Sequence, residues 1–136
     1  MANVLDDVGG YLASAGLGLV VGSSLRLGEL PATPNTVTCL REYPGVPPEA
    51  AFGSGLVAME HLRVQVVCRG AVDDYATPRT MAEAIYKALA ACGVRTLSGT
   101  QYFGLFPLQS PAPLKRDVLG RWEMSFNVQA DKEPNA

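Results

Sequence analysis

Two stretches of the chain alternate apolar and polar residues with period two, and two others repeat apolar residues at helical spacing. Between Met59 and Arg69, Leu62, Val64, Val66 and Cys68 fall on one side of an extended chain, and His61, Arg63, Gln65 and Arg69 on the other. Residues 121–129 set Trp122, Met124, Phe126 and Val128 against Arg121, Glu123, Ser125, Asn127 and Gln129. A strand of this kind packs one face on a core and leaves the other wet or against a neighbour. Residues 3–15 carry Leu5, Val8, Leu12 and Ala15 on one helical stripe, with Asn3 to cap the start, Asp6 and Asp7 in the first turn, and Gly16 to stop it. The Gly9–Gly10 pair opposes that helix by about 1 kcal/mol per glycine. A second helix is expected over 78–92, with a stripe of Met81, Ile85, Ala88, Leu89 and Cys92, Thr77 as cap, Pro78 at the first position and Gly93 as stop.

Shorter strands are expected at 25–29, 36–43, 94–98 and 101–108. Leu30–Asn35 reads as a turn and 110–113 as a connection, because their prolines cannot donate to a ladder. Residues 44–55 (PGVPPEAAFGSG) read as a long irregular loop, and loops of that length are usually functional. The order helix, strands, helix, strands, with alternation favouring antiparallel pairing, predicts an α+β fold: one mainly antiparallel sheet with two helices packed on it. A single domain is expected over 1–130, with 131–136 as a polar tail.

Composition narrows the partners. Charged residues make up 18% of the 136-residue chain, below the usual share of about 25%. With few charges to cover a small domain, uncharged surface is expected to be hidden in an assembly. A net charge of -2 excludes a domain that grips phosphates by bulk electrostatics. Cys39, Cys68 and Cys92 are an odd number, widely spaced in apolar runs, and read as buried free thiols in a reducing cytosol. Acids near the N-terminus argue against a secretory signal, and the run Leu17–Val21 is far short of a membrane span.

The search for chemistry finds little. With one histidine, His61, there is no second imidazole for a zinc site, and Cys68 points to the opposite strand face. The glycines at 16, 18 and 22 miss the dinucleotide spacing by one residue and follow a helix instead of a strand. No Gly-Lys pair exists for a phosphate loop, and Gly53-Ser54-Gly55 lacks the spacing of a nucleophile elbow. Asp73 and Asp74, adjacent and just ahead of the second helix, suit the helix dipole better than an acid–base pair. Lys115–Arg116 is the one basic cluster, without interleaved aromatics. The expectation is a protein that is not an enzyme and holds no cofactor or metal. Its strand faces rich in Thr, Gln, Ser and Asn suit subunit contacts.

The stretches LGELP (27–31) and TPNTVTCLREYPGVPPE (33–49) resemble the phage minor capsid protein family, which corresponds to the tail terminators of long-tailed, siphovirus-type phages. The likeness continues through EHLRVQVVCRG (60–70) and YATPRTMAEAIYKAL (75–89), and covers 3–130 in element order. Tyr43-Pro44-Gly45 and Arg69-Gly70 carry it best.

The resemblance implies a structural virion protein, assembled in the host cytoplasm into the tail or neck. Such terminators form a hexameric ring that caps the tail tube, stops its polymerisation and joins the tail to the head connector. The implied partners are further copies of the chain, the tail-tube protein and a head-completion, stopper or connector protein, with DNA passing only through the lumen and no membrane. The family brings no catalytic residues, so only surfaces can be named. Pro47, Pro48, Phe52 and Leu56 in the 44–58 loop are expected to reach a neighbouring subunit, and Arg63, Gln65, Glu123 and Asn127 to line subunit contacts or the lumen. Alternatives are a stopper or tail-tube protein of the same virion, and less favourably a small ligand-binding domain.

Overall fold

The computed structural model describes residues 3–50 and 57–134. Among them the order is α1 (Val4–Ala13), β1 (Leu25–Leu27), β2 (Val37–Ala50), β3 (Val57–Val72), α2 (Ala76–Ala90), β4 (Arg95–Leu97), β5 (Thr100–Pro107), β6 (Ala112–Arg116) and β7 (Arg121–Lys132). The strands form one sheet in the order β1-β2-β3-β7-β5-β4, with β6 also on β7. All pairs are antiparallel except β1 with β2. The α+β architecture of two helices on a mainly antiparallel sheet is as the alternation foretold.

Both helices pack on one face of the sheet. The core between them holds Leu12, Leu25, Leu40, Val64, Val66, Ile85, Leu89, Met124 and Phe126, all nearly inaccessible. Burying each such side chain is worth about 1.5–3 kcal/mol. Asn3 caps α1 through a reciprocal box, accepting from the Asp6 amide at 2.9 Å while its own amide donates to the Asp6 carboxylate at 3.2 Å. Gly9 has a packing reason to be there: a Cβ would sit 2.9 Å from Leu27 Cδ2, so the helix rides close over β1.

The structure corrects the sequence reading in five places. Helix α2 starts two residues before the expected 78, and the Asp74 carboxylate, not Thr77, takes up a free amide, accepting from Thr77 N–H at 3.0 Å. Hydrogen bonding from the Thr77 hydroxyl, and then from its amide, holds the Asp74 carboxyl below its ordinary range. Residues 44–50 are not irregular loop; they continue β2. Their prolines are tolerated because β2 is flanked by β1 only at Thr38–Leu40, so beyond Leu40 its outer edge is unpaired and needs no donors. The same holds after Pro111: the connection expected at 110–113 gives way at Ala112 to the exposed edge strand β6, Ala112–Arg116. Strand β7 runs to Lys132, two residues into the expected tail, and Lys132 is buried. Arg69 and Glu123, expected on a wet strand face, are buried too.

The burial of Arg69 has a visible cause. The turn over 30–35, which includes a cis Thr33–Pro34 bond, is tied to that face of the sheet by two guanidinium groups. Arg69 donates to the carbonyls of Pro34 (2.7 Å) and Asn35 (3.0 Å). Arg121 donates to Ala32 O (2.7 Å), Asn35 Oδ1 (3.1 Å) and Asp117 Oδ2 (2.8 Å). Glu123 is the register partner of Arg69 in the same buried corner. Gly70 follows because a Cβ there would meet Pro78 Cδ at 2.7 Å, where α2 leaves the strand end.

Candidate assembly surface

The sheet face away from the helices is largely open. The register aligns its residues in rows across β2, β3 and β7: Arg41, Gln65 and Asn127; Tyr43, Arg63 and Gln129; Val46, His61 and Asp131. Three of the four polar residues singled out from the alternation, Arg63, Gln65 and Asn127, therefore meet on one surface, half-buried. Gln65 and Asn127 join Arg41, Glu42 and Tyr43 around a depression of about 240 Å³. Arg63 Nε donates to Gln129 Oε1 at 3.1 Å. Glu123 shares their strand parity but not their exposure, at 3%.

Beyond the pair Glu60–Lys132, β2 and β3 run on without a third strand, and they form a two-stranded arm. Pro47 and Pro48 lie exposed on its free edge. Phe52 and Leu56, named with them, lie outside the described residues. Pairing within the arm is irregular, with register shifts between Tyr43 and Val46, Val46 and Glu49, and Glu49 and Ala50. The first shift explains Tyr43-Pro44-Gly45: a Cβ on Gly45 would collide with the His61 carbonyl oxygen, so only glycine allows the two backbones to approach there.

His61, first read as an ordinary strand residue, sits at the root of the arm between carboxylates on two other strands. Its Nδ1 lies 2.5 Å from Asp131 Oδ1 on β7, and its Nε2 lies 3.1 Å from Glu49 Oε2 on β2. Carboxylates only accept, so the imidazole serves both when both ring nitrogens carry protons. The Asp131 hydrogen bond, aided by Glu49, raises the His61 pKa above its ordinary value despite some desolvation. Alternation alone could not have shown this cluster, because it depends on the cross-strand register and on residues 46–50 being strand.

The opposite end of the sheet carries a feature the periodicity missed. At the β6–β7 turn Val118 is 102% and Leu119 58% exposed, next to Val72 at 52%. The turn is held rigid: Gly120 N–H donates to Asp117 O at 2.9 Å, and Asp73 N–H to Gly120 O at 2.9 Å. Arg116 pairs with Asp73 and lies over the Trp122 ring, which Tyr75 meets edge-on at 5.3 Å. Two apolar residues at the tip of a turn that usually takes Gly, Asn or Asp was the signal available in the sequence.

Chemistry for catalysis is sparse on these surfaces. Among the described residues, no three His, Cys, Asp or Glu side chains cluster so as to hold a metal ion. The three cysteines are free and buried, and burial pushes the Cys68 thiol up to about 12. Buried Tyr102 donates to Asp7 Oδ2 at 2.6 Å, which ties β5 to α1 inside the core, away from the surface. No helix among the described residues is long and apolar enough to cross a membrane.

Known proteins were compared at three levels. No curated protein sequence matches the chain. Among solved structures, a chain from "Virion of native gene transfer agent (GTA) particle" superposes with a TM-score of 0.67 over 96% of this chain and 95% of that one, at 18% identity, so the two share a fold. The sequence profile of the family described as bacteriophage tail terminator protein matches residues 11–134, nearly the whole of the fold described above, and the chain belongs to that family.

Proposed function

We propose that the chain is a non-catalytic structural protein of the virion that assembles with copies of itself into a ring, hexameric as the family resemblance implies. The ring caps the tail tube, stops its growth and joins the tail to the head-side connector, and DNA passes through its lumen. One observation carries the reading: the β2–β3 arm, proline-edged, extends past the third strand and therefore lies beyond what the chain's own core supports. Among the described residues the arm carries two register pairs beyond Glu60, Glu49–Met59 and Ala50–Val57, and a two-stranded ribbon is marginal alone in water, so it is best stabilised by a neighbour. The free edges of β2 and of β6 lie on opposite sides of the sheet, which favours head-to-tail contacts that close into a ring over a two-fold dimer. Near-neutral charge suits a channel through which DNA slides without being gripped.

The test removes the arm and leaves the fold. Val46 and His61 are register partners, so replacing residues 47–60 by Asn-Gly closes the hairpin with a two-residue turn. The shortened protein is expected to stay folded by circular dichroism and to elute as a monomer, where the full chain elutes and images as single rings. Rings from the shortened protein would overturn the role of the arm. Filaments from the full chain would favour a tail-tube protein instead.

A further inference from the structure

At the root of the arm, Val46 pairs with His61 and Glu49 with Met59, so Pro47 and Pro48 of β2 stand against the single residue Glu60 of β3. Neither proline has an amide hydrogen to donate across this bulge. A side chain crosses it instead. The His61 imidazole reaches Glu49 Oε2 on the far side of the bulge at 3.1 Å, and Asp131 Oδ1 on β7 at 2.5 Å. Behind Asp131 the chain of donors continues: Gln129 Nε2 donates to Asp131 Oδ1 at 3.0 Å, and Arg63 Nε to Gln129 Oε1. These are the polar groups that face the ring from β2, β3 and β7. Gly104, the partner of Asp131 on β5, adds no side chain. Glu60 and Lys132 alternate to the helix side, where the Lys132 ammonium lies 3.8 Å from Glu60 Oε2. His61 is the one histidine in the chain, and imidazole is the side chain whose ordinary pKa falls between pH 5 and 8. Burial holds the three cysteine thiols above their ordinary range.

We propose that His61 is a proton-operated pin: with both ring nitrogens protonated it ties Glu49 of the arm to Asp131 of the sheet, and loss of the Nε2 proton releases Glu49 and loosens the contact between copies. This rests on the reading of the arm as a subunit contact and deepens it by naming what regulates the arm. The geometry decides which nitrogen gives up its proton. The Asp131 side chain is 15% exposed and makes the shorter bond, whereas the Glu49 side chain is 63% exposed and better screened by water. The proton on Nδ1 therefore stays. Nε2 is left with a lone pair turned toward a carboxylate that can only accept. The hydrogen bond to Asp131, with a smaller contribution from Glu49, holds the His61 pKa above its ordinary value. The tie is thus complete below about 6.5, the unfolded value, and is lost as pH rises through the higher folded value. A pinned arm meets its neighbour already ordered, and ordering a released one subtracts from binding.

The experiment follows ring dissociation of the full chain by sedimentation velocity at pH 6 and pH 8.5, at constant ionic strength. The wild-type dissociation concentration is expected to be at least about fivefold higher at pH 8.5. His61→Gln cannot change charge, so it is expected to give the same value at both pH. Glu49→Gln is also expected to give the same value at both, close to that of the wild type at pH 6, because the new amide can donate to the unprotonated Nε2. Rescue at pH 8.5 by so small a change distinguishes the pin from a merely structural role, whose loss would weaken rings at both pH. The long-range nitrogen–proton NMR spectrum of the single imidazole reads the pin directly. Nδ1 is expected to stay protonated throughout, and Nε2 to lose its proton above the ordinary histidine value.

Three results would overturn the pin and leave the ring reading standing: wild-type rings equally stable at both pH, a pH difference that survives His61→Gln, or Glu49→Gln rings that still weaken at pH 8.5. An imidazole that titrates at its ordinary value, or keeps its last proton on Nε2, would overturn it too. A wild-type chain that assembles at neither pH would overturn the ring reading itself, and with it any effect of His61 on assembly.

Discussion

Strand β7 shows the two faces of this sheet side by side. Met124, Phe126, Val128 and Ala130 point into the helix-covered core and are at most 1% exposed, while Ser125, Asn127, Gln129 and Asp131, interleaved with them, remain half-buried on the open face. One backbone thus carries a row that holds the domain together and a row available to others. The difference teaches that folding and assembly are separable here, and a substitution moved by one residue should switch the property it damages. Phe126→Ala tests the first row most severely. The ring packs in the core and meets Tyr86 edge-on at 5.7 Å, so its loss should cost about 3–5 kcal/mol, measured by urea denaturation. A loss below 1 kcal/mol would mean that the core relaxes into the space.

Gly45→Ala tests where the open face meets the arm. Its added methyl group would collide with the His61 carbonyl, so the backbones must separate or the arm must shift register. The expected destabilisation is about 1–3 kcal/mol, with hydrogen exchange quickening from Tyr43 to Ala50 and not in the helices. Uniform quickening across the molecule would show that the bulge supports the whole sheet.

These two residues also mark how far the sequence could be read. Phe126 was legible, because period two assigns a face without knowledge of any partner strand. Gly45 was conspicuous inside Tyr-Pro-Gly, but its role depends on a backbone 16 residues further along, which no local pattern encodes. The prolines at 44, 47 and 48 misled for a related reason: they forbid a central strand, and only the sheet order reveals that this one is an edge. Arg69 and Glu123 show the same limit from the other side. Their parity was read correctly, but the turn over 30–35 closes down on their corner through hydrogen bonds to Arg69 and Arg121. Of the candidate surface, Arg63, Gln65 and Asn127 were therefore legible, and the His61 cluster and the Val118–Leu119 turn were not.

The His61 cluster makes the arm sensitive to pH. The imidazole faces Glu49 from β2 and Asp131 and Gln129 from β7, with Arg63 engaged by Gln129 on the same row. Its pKa is raised on folding, so its contribution is fully present below about 6.5, the unfolded value, and fades as pH rises through the higher folded value. Hydrogen exchange over Val46–Ala50 should therefore be slower at pH 6 than at pH 8.5, after correction for the intrinsic rate. His61→Gln should remove that difference. A pH effect that survives the substitution would place the titrating group elsewhere.

The smallest expected change in stability comes from the open face itself, and it separates the two rows most cleanly. Gln65 and Asn127 are register partners beside Arg41 and Tyr43, and neither side chain reaches the core. Truncating both to alanine should move the unfolding free energy by no more than about 0.5 kcal/mol, as for surface sites without a special role. If this face meets a neighbouring copy, the same double variant should weaken ring formation, read as a rise in the concentration at which rings dissociate in sedimentation velocity. An unchanged dissociation concentration would assign the face to the lumen or to another virion protein. It would also leave the arm as the proposed subunit contact. Because neither truncation disturbs the helix-covered row, loss of assembly here could not be mistaken for loss of fold.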